Sequence, residues 1–264
     1  MTSKVSVNGI DLEYRLEGPH DAPLVTLSHA LATELGNWDA VIPLLCRGYR
    51  VLRYSLRGHG HSDHSPGPYT LELLADDLAG LLEHLEVERT HLVGLSVGGM
   101  IAQAFALRHP QRLRGLVIAS SLCQLPQGAD QIWHERLETV RQRGVAALAE
   151  STLARWFTAE YAAANPGTIA RVRRMIEATS AEGYLGCAEA IRRMDLIERI
   201  SAIRSPTLVL VGRQDPGTPV AASEEIQARI PGARLEVLDP GSHQLPIERA
   251  RRFEELVAAF LAAA

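Results

Sequence analysis

Residues 91–100 read HLVGLSVGGM, an apolar run followed by small residues around a serine. The apolar part predicts a short buried strand, and a helix is expected to begin near Met100. Between them lies a G-x-S-x-G pattern, in which small residues flank Ser96 because the chain turns sharply and leaves the Ser96 Oγ above the sheet. The start of such a helix presents N–H groups to developing negative charge. This context favours a nucleophilic Ser96 over the alternative, a glycine-rich turn with an incidental serine.

The sequence on both sides of this turn alternates short apolar runs with helical patterns. Asn8-Gly9 separates the first two runs and is a strong hairpin signal. The predicted strands are Val5–Val7, Leu12–Tyr14, Leu24–Leu27, Val51–Tyr54, His91–Gly94, Leu116–Ala119, Thr207–Val211 and Leu235–Leu238. The predicted helices include Leu71–Leu85, Ile101–Leu107 and Glu248–Leu261. This alternation predicts the α/β class, with a mostly parallel sheet flanked by helices.

The strand pattern is absent from about residue 122 to residue 200. This segment reads as helical and contains ten arginines and ten acidic residues, so it carries no net charge. Breaks between its helices are expected at Gly144, at Asn165-Pro166-Gly167 and at Gly183. We predict a core formed by residues 1–121 and 201–264 and a helical cap formed by residues 122–200.

Composition excludes several classes of protein. The chain has 264 residues, 46% of them hydrophobic and 22% charged, which is enough to bury one large core. A formal net charge of −4 without a basic track argues against nucleic-acid binding. The N-terminal sequence has no apolar export signal and no stretch is long enough to cross a membrane, so we expect a cytoplasmic protein without a membrane partner. Three widely spaced cysteines (Cys46, Cys123, Cys187) fit small buried residues in a reducing compartment.

A serine nucleophile needs a base, and the base needs an acid to orient it. His243 lies in a loop between the last predicted strand and the last helix, and it is the predicted base. Asp215 directly follows the strand Thr207–Val211 and is the predicted acid. Asp239, four residues before His243, is the alternative acid.

A metal site is the alternative chemistry for the loop that contains His59, His61 and His64. Asp63 is the one carboxylate nearby in the sequence, and the spacing does not match a known ligand pattern. We therefore predict neither a metal nor another cofactor.

The oxyanion formed during attack on a carbonyl requires two N–H donors. The Val97 N–H, next after the nucleophile, is the first candidate. The second is expected from the loop Ser28–Ala32, and Leu31 is the specific choice. An ordinary strand-to-helix loop is the alternative for Leu31.

The motifs around these residues resemble the α/β-hydrolase superfamily, in which the nucleophile, acid and base follow one another in this order. The resemblance covers the chain outside the cap and rests on the Ser96 turn, RGHGHS at 57–62, GRQDP at 212–216 and the His243 loop. A narrower resemblance, to the 3-oxoadipate enol-lactonases, includes the cap. It rests on ETVR at 138–141, RWFT at 155–158, EGY at 182–184, Arg53-Tyr54 and GPYT at 67–70.

Three places differ from the residues that are common in enol-lactonases. Ser55 stands where Asp is common, His29-Ala30 where Asn-Ser is common, and Val97 where Met is common. The oxyanion donors are backbone groups, so the chemistry tolerates these changes. A different ester or lactone substrate stays open.

The resemblance implies a serine hydrolase that opens a small lactone or ester, with 3-oxoadipate enol-lactone or a close analogue as the expected substrate from aromatic catabolism. Trp133, Trp156, Arg136 and Arg155 are candidate substrate-binding residues, the arginines for a carboxylate. The alternatives are a carbon–carbon bond hydrolase, a cofactor-free perhydrolase, and a noncatalytic ligand-binding relative. The expected partner is the small-molecule substrate, and the oligomeric state is left open.

Overall fold

Eight strands form one sheet in the order β1-β2-β4-β3-β5-β6-β7-β8. The computed structural model describes residues 2–264, and Met1, with which the predicted core begins, lies outside the described residues. The strands are β1 Ser3–Val7, β2 Ile10–Glu17, β3 Leu24–Ser28, β4 Arg50–Tyr54, β5 Thr90–Leu95, β6 Leu113–Ala119, β7 Thr207–Gly212 and β8 Arg234–Leu238.

The sheet is antiparallel at one edge and parallel elsewhere. β1 and β2 form a hairpin and β2 pairs antiparallel with β4, whereas every pairing from β4 to β8 is parallel. Asn8 and Gly9 form the hairpin turn with φ values of 46° and 77°, as the Asn-Gly signal predicts. Because parallel strands all end at one edge, the loops after β3, β5, β7 and β8 meet there.

Helices cover both faces of the sheet. The α-helices are α1 Ile42–Leu45, α2 Leu71–His84, α3 Val97–Arg108, α4 Ala129–Arg143, α5 Ala149–Trp156, α6 Ala159–Ala164, α7 Pro166–Ala178, α8 Ala181–Arg192, α9 Val220–Arg229, α10 Leu245–Glu248 and α11 Ala250–Leu261. Among residues 2–264, none of the helices combines the length and the apolar character needed to cross a membrane.

The two faces of β5 show why its sequence is mostly apolar. Val93 and Leu95 pack into a hydrophobic cluster with Phe253 of α11, whereas Leu92 belongs to a second cluster that includes Phe105 of α3. A strand buried on both faces reads as a continuous apolar run, which is the pattern that predicted it. The observed sheet and its two helical layers match the predicted α/β architecture.

Helices α4 to α8 lie between β6 and β7, which are neighbours in the sheet. The expected break at Gly144 is present as the C-cap of α4, and Pro166 begins α7. The expected break at Gly183 is wrong, because Gly183 lies inside α8 and the break falls at Ser180, which caps that helix. Gly183 packs against the loop at Gly58: a Cβ at 183 would lie 2.2 Å from the Gly58 carbonyl oxygen.

Candidate active site

Ser96 occupies the sharp turn between β5 and α3. Its φ and ψ are 58° and −120°, a strained combination for a residue with a side chain. The Ser96 N–H donates to the Ala119 carbonyl over 2.9 Å, and the Ser121 hydroxyl donates to the Ser96 carbonyl over 2.8 Å. Gly98 is required because a Cβ there would lie 2.1 Å from the Ser28 carbonyl oxygen. Neighbouring strands therefore hold the backbone of this turn.

Asp215 and His243 are joined by a buried hydrogen bond. The loop after β7 carries Asp215, the loop after β8 carries His243, and the distance from His243 Nδ1 to Asp215 Oδ2 is 2.7 Å. Asp215 also accepts from the N–H groups of Gly217 and Thr218, at 2.9 and 3.0 Å, and from the Thr218 hydroxyl at 2.5 Å. Burial opposes ionisation, but the His243 interaction and these hydrogen bonds hold the pKa of Asp215 below its usual value.

Asp239 faces away from this pair. Its side chain is 57% exposed and forms an ion pair with Arg213, with 3.3 Å from Nε to Oδ2. The geometry therefore favours Asp215 as the partner of the His243 imidazole.

The two candidate oxyanion donors are free. Within residues 2–264, neither the Leu31 N–H nor the Val97 N–H donates a hydrogen bond, and the Ser96 hydroxyl is also unbonded. The Leu31 loop is held by its neighbours, because the Ala32 N–H donates to His59 Nε2 over 3.2 Å and the Thr33 hydroxyl donates to the Ala30 carbonyl over 2.8 Å. Such rigidly held N–H groups suit the stabilisation of a developing oxyanion.

Two buried histidines connect this loop to the loop after β4. His29 Nε2 accepts the Leu56 N–H over 2.8 Å, so His29 Nδ1 carries the proton and donates to the Ala30 carbonyl. His59 is arranged similarly, with Nε2 accepting from Ala32 and Nδ1 donating to the Arg57 carbonyl. Burial lowers the pKa of His29 to about 3 and that of His59 to about 4. Both rings are therefore neutral at pH 7.

This arrangement bears on the metal alternative. His59 uses both ring nitrogens in hydrogen bonds to the backbone, which leaves neither free for a metal ion. Among residues 2–264, no group of three His, Cys, Asp or Glu side chains is placed to hold a metal ion.

A cavity of about 670 Å³ brings the predicted site residues together. Every predicted site residue except Val97 lines it: Ser96, Asp215, His243, Leu31, Trp133, Arg136, Arg155 and Trp156. Residues from the loops at the sheet edge and residues from the 122–200 segment therefore share one chamber. Val97 is fully buried behind Ser96 and reaches the site through its backbone.

The part of the cavity formed by the 122–200 segment carries two arginines without acidic partners. Neither Arg136 nor Arg155 forms an ion pair within residues 2–264. The Arg136 guanidinium lies over the Trp133 ring at 4.7 Å, and Arg155 makes one long contact of 3.5 Å to the Thr152 hydroxyl. Burial lowers the pKa of Arg155, and the Arg136 charge lowers it further. This end of the cavity is thus positive and incompletely hydrogen-bonded.

Tyr184 is a cavity residue that the sequence reasoning missed as a site residue. Its hydroxyl and the Nε of Arg136 are both buried and make no well-formed hydrogen bond in the described chain, although the two side chains lie close enough to interact. Burial raises the pKa of Tyr184, so the hydroxyl stays a donor at neutral pH. The EGY motif at 182–184 is the available signal, but by itself it indicates only a family likeness.

Ser55, which stands where Asp is common in enol-lactonases, is hydrogen-bonded to a carboxylate from another strand. The Ser55 hydroxyl donates to Glu13 Oε2 over 2.7 Å, and the same oxygen accepts the His61 N–H over 3.0 Å. Glu13 is almost fully buried. A carboxylate from β2 therefore anchors the loop that carries His59.

Residues 23–250 match the sequence profile of the alpha/beta hydrolase fold family, and the chain belongs to that family. The relative 3-oxoadipate enol-lactonase 2 of Acinetobacter baylyi is 32% identical over 257 residues, which cover 97% of this chain and 95% of the relative. The crystal structure of the enol-lactonase from Burkholderia xenovorans matches with a TM-score of 0.95 at 38% identity, covering 98% of this chain and 100% of that one. A hydrolase from Pseudomonas aeruginosa matches with a TM-score of 0.94 at 40% identity, covering 98% of both chains.

These similarities confirm the predicted fold, the resemblance to enol-lactonases and the prediction that the chain is a hydrolase enzyme. The roles of individual residues and the boundaries of the cap stay predictions.

Proposed function

We propose that this protein hydrolyses a small carboxylate-bearing lactone or ester with Ser96, His243 and Asp215 as a catalytic triad. The Asp215–His243 hydrogen bond of 2.7 Å supports this assignment, as does the presence of all three residues at one cavity. The 122–200 segment acts as the cap of that cavity.

The reaction begins when His243 Nε2 takes the proton of the Ser96 hydroxyl as its oxygen attacks the substrate carbonyl. Asp215 keeps the proton of the imidazole on Nδ1 and stabilises the imidazolium. The oxyanion accepts hydrogen bonds from the Leu31 and Val97 N–H groups. The ester C–O bond then breaks, and the leaving oxygen or enolate is protonated by His243. A water molecule, deprotonated by His243, attacks the acyl-serine and releases the free acid and Ser96.

The proposal that the substrate is an anion rests on Arg136 and Arg155, which form no ion pair within residues 2–264. Arg136 and Arg155 are half-buried, and a substrate carboxylate would compensate their unpaired charges through charge-assisted hydrogen bonds. The buried Tyr184 hydroxyl and Arg136 Nε are additional donors for the same group. An anionic substrate therefore accounts for a polar arrangement that the free protein leaves unsatisfied.

Among carboxylated lactones, 3-oxoadipate enol-lactone is the proposed substrate, because the relatives from Acinetobacter baylyi and Burkholderia xenovorans are named as enol-lactonases. This substrate would place the enzyme in aromatic catabolism. The cytoplasmic location stays a prediction.

The experiment is to measure hydrolysis of 3-oxoadipate enol-lactone beside neutral lactones and phenyl esters, with fluorophosphonate labelling of Ser96 run in parallel. The proposal predicts labelling and the highest kcat/KM on the carboxylated lactone. Labelling without this preference would leave a serine esterase of other specificity. Absence of labelling and of turnover would favour the noncatalytic ligand-binding alternative.

A further inference from the structure

Glu248 is a buried carboxylate outside the proposed triad, and it joins two separate parts of the chain. One oxygen, Oε1, accepts from the Thr158 hydroxyl and from the Thr158 N–H at 3.1 Å. The other, Oε2, accepts the Ser242 N–H over 2.9 Å. Within residues 2–264, Glu248 takes part in no ion pair. This carboxylate is thus stabilised by three hydrogen-bond donors of the protein, without a cation among the described residues.

The Ser242 end of this connection lies next to the proposed base. The Ser242 hydroxyl donates to the Arg155 carbonyl over 3.0 Å, and the Gln244 N–H donates to the Trp156 carbonyl over 3.1 Å. Both neighbours of His243 in the sequence are therefore tied to the last two residues of α5.

The imidazole itself is also packed against α5. The Trp156 and His243 rings stack with centroids 5.9 Å apart and planes 20° apart. On its other edge, Nδ1 bonds Asp215. The ring direction thus depends on α5 as well as on Asp215.

We propose that Glu248 is a positioning residue for His243, a role that rests on the proposed function of that histidine. Glu248 fixes the segment 242–244 against Thr158, which holds the ring with Nδ1 bonded to Asp215 and leaves Nε2 available to act on Ser96 in the proposed mechanism. Bonds from N–H groups to a carboxylate are stronger than those to a neutral acceptor. A small displacement of a general base costs a large factor in rate.

The test is the substitution Glu248→Gln, which keeps the size of the side chain. Its amide has one accepting oxygen, so its NH₂ group faces either the Ser242 N–H or Thr158 as a second donor. We expect the rates of fluorophosphonate labelling and of phenyl acetate hydrolysis to fall by about tenfold to a hundredfold. The KM for phenyl acetate should change little, because no substrate contact is removed.

Thr158 provides an independent pair of variants. Thr158→Val removes one of the three donors, together with the hydroxyl that accepts the Tyr161 N–H at the start of α6, and should lower both rates. Thr158→Ser keeps the hydroxyl and should restore them. This pair decides the question if Glu248→Gln fails to fold.

The matched control is Tyr161→Phe. The Tyr161 hydroxyl donates to the Ile247 carbonyl over 3.2 Å, so this variant loses another bond between the 122–200 segment and α10 without touching residues 242–244. Its rates should stay near those of the unmodified protein. An equal loss in the control would reduce Glu248 to a structural contact and overturn the proposal, as would unchanged rates in Glu248→Gln. If the unmodified protein itself is not labelled, it is the proposed triad that fails.

Discussion

His29 and His59 lie side by side, with ring centroids 5.5 Å apart and ring planes tilted by 56°. Each ring accepts an N–H from the other's loop, since Leu56 donates to His29 and Ala32 donates to His59. These two crossed bonds hold the Leu31 loop in place. The accepting nitrogens must be unprotonated, so acid should break the connection.

The first prediction concerns stability in acid. An unfolded histidine has a pKa near 6.5, whereas burial lowers that of His59 to about 4, so the unfolded chain binds more protons between these values. The stabilisation is complete above pH 6.5 and is lost as the pH falls towards 4. His59→Gln should reduce the loss of unfolding free energy between pH 5.5 and pH 4.5 by about 1 kcal/mol.

This difference is measured by urea unfolding at the two pH values. His20→Gln is the control, because the His20 side chain is 83% exposed and its removal should leave the pH dependence intact. If the change in unfolding free energy between the two pH values were the same in His59→Gln, His59 would already be protonated in the folded protein at these pH values.

The second prediction concerns the triad as a unit. Ser96→Ala and His243→Ala should each lower kcat by about three orders of magnitude or more, and the double variant should lose little beyond that. The physical reason is that Ser96 is a weak nucleophile unless His243 takes its proton, and His243 has no nucleophile to activate once Ser96 is removed. Steady-state kinetics on one ester measure this, and additive losses would contradict the shared role.

The third prediction separates the two candidate acids. Asp215→Asn should lower kcat severely, because an amide does not stabilise the imidazolium or the required imidazole tautomer. Asp239→Asn should have little effect, since Asp239 bonds Arg213 at the surface. The kcat values of the two variants decide the assignment, which is reversed if Asp239→Asn is the more damaging.

The fourth prediction concerns the positive end of the cavity. Arg136→Met or Arg155→Met keeps much of the apolar stem and removes the charge. The expected cost to kcat/KM on a carboxylated lactone is about 1.5–3 kcal/mol, with a neutral phenyl ester almost unaffected. Arg141→Met is the control on the helix that carries Arg136, because Arg141 pairs with Glu138 at the surface. Equal losses on both substrates would indicate altered packing.

The fifth prediction is that turnover persists in EDTA, because the proposed steps use side chains and backbone donors alone. Activity is compared before and after dialysis against the chelator. If activity were lost in EDTA and restored by a divalent ion, a metal site that includes His61 and His64 would be supported instead.

The local sequence predicts the sheet and the Ser96 turn well, for a physical reason. Strands such as β5 are buried on both faces and therefore read as apolar runs, and the turn needs small residues within a few positions of Ser96. The proximity of Asp215 and His243 is predictable because parallel strands end at one edge, which places the loops after β7 and β8 together.

The contacts that depend on distant parts of the chain were not predictable in this way. Gly183 carries the local signal of a helix break, yet it lies within α8. A glycine is needed there because Gly58 approaches too closely for a side chain. Glu248 contacts Thr158, 90 positions earlier, and neither residue has a distinctive sequence neighbourhood. Tyr184 is unusual because its buried hydroxyl lies near Arg136 without a well-formed hydrogen bond, which a sequence does not reveal.

The contact between Gly58 and Gly183 limits how far α8, which carries the cavity residue Tyr184, can approach the loop after β4. Ser180 anchors the start of α8 to the same point, through a 2.9 Å hydrogen bond from its hydroxyl to the Gly58 carbonyl. A methyl group at position 183 has no room and would lift the helix, and Tyr184, the next residue, would rise with it. The space for a substrate between Ser96 and Tyr184 therefore depends on two residues that have no side chain.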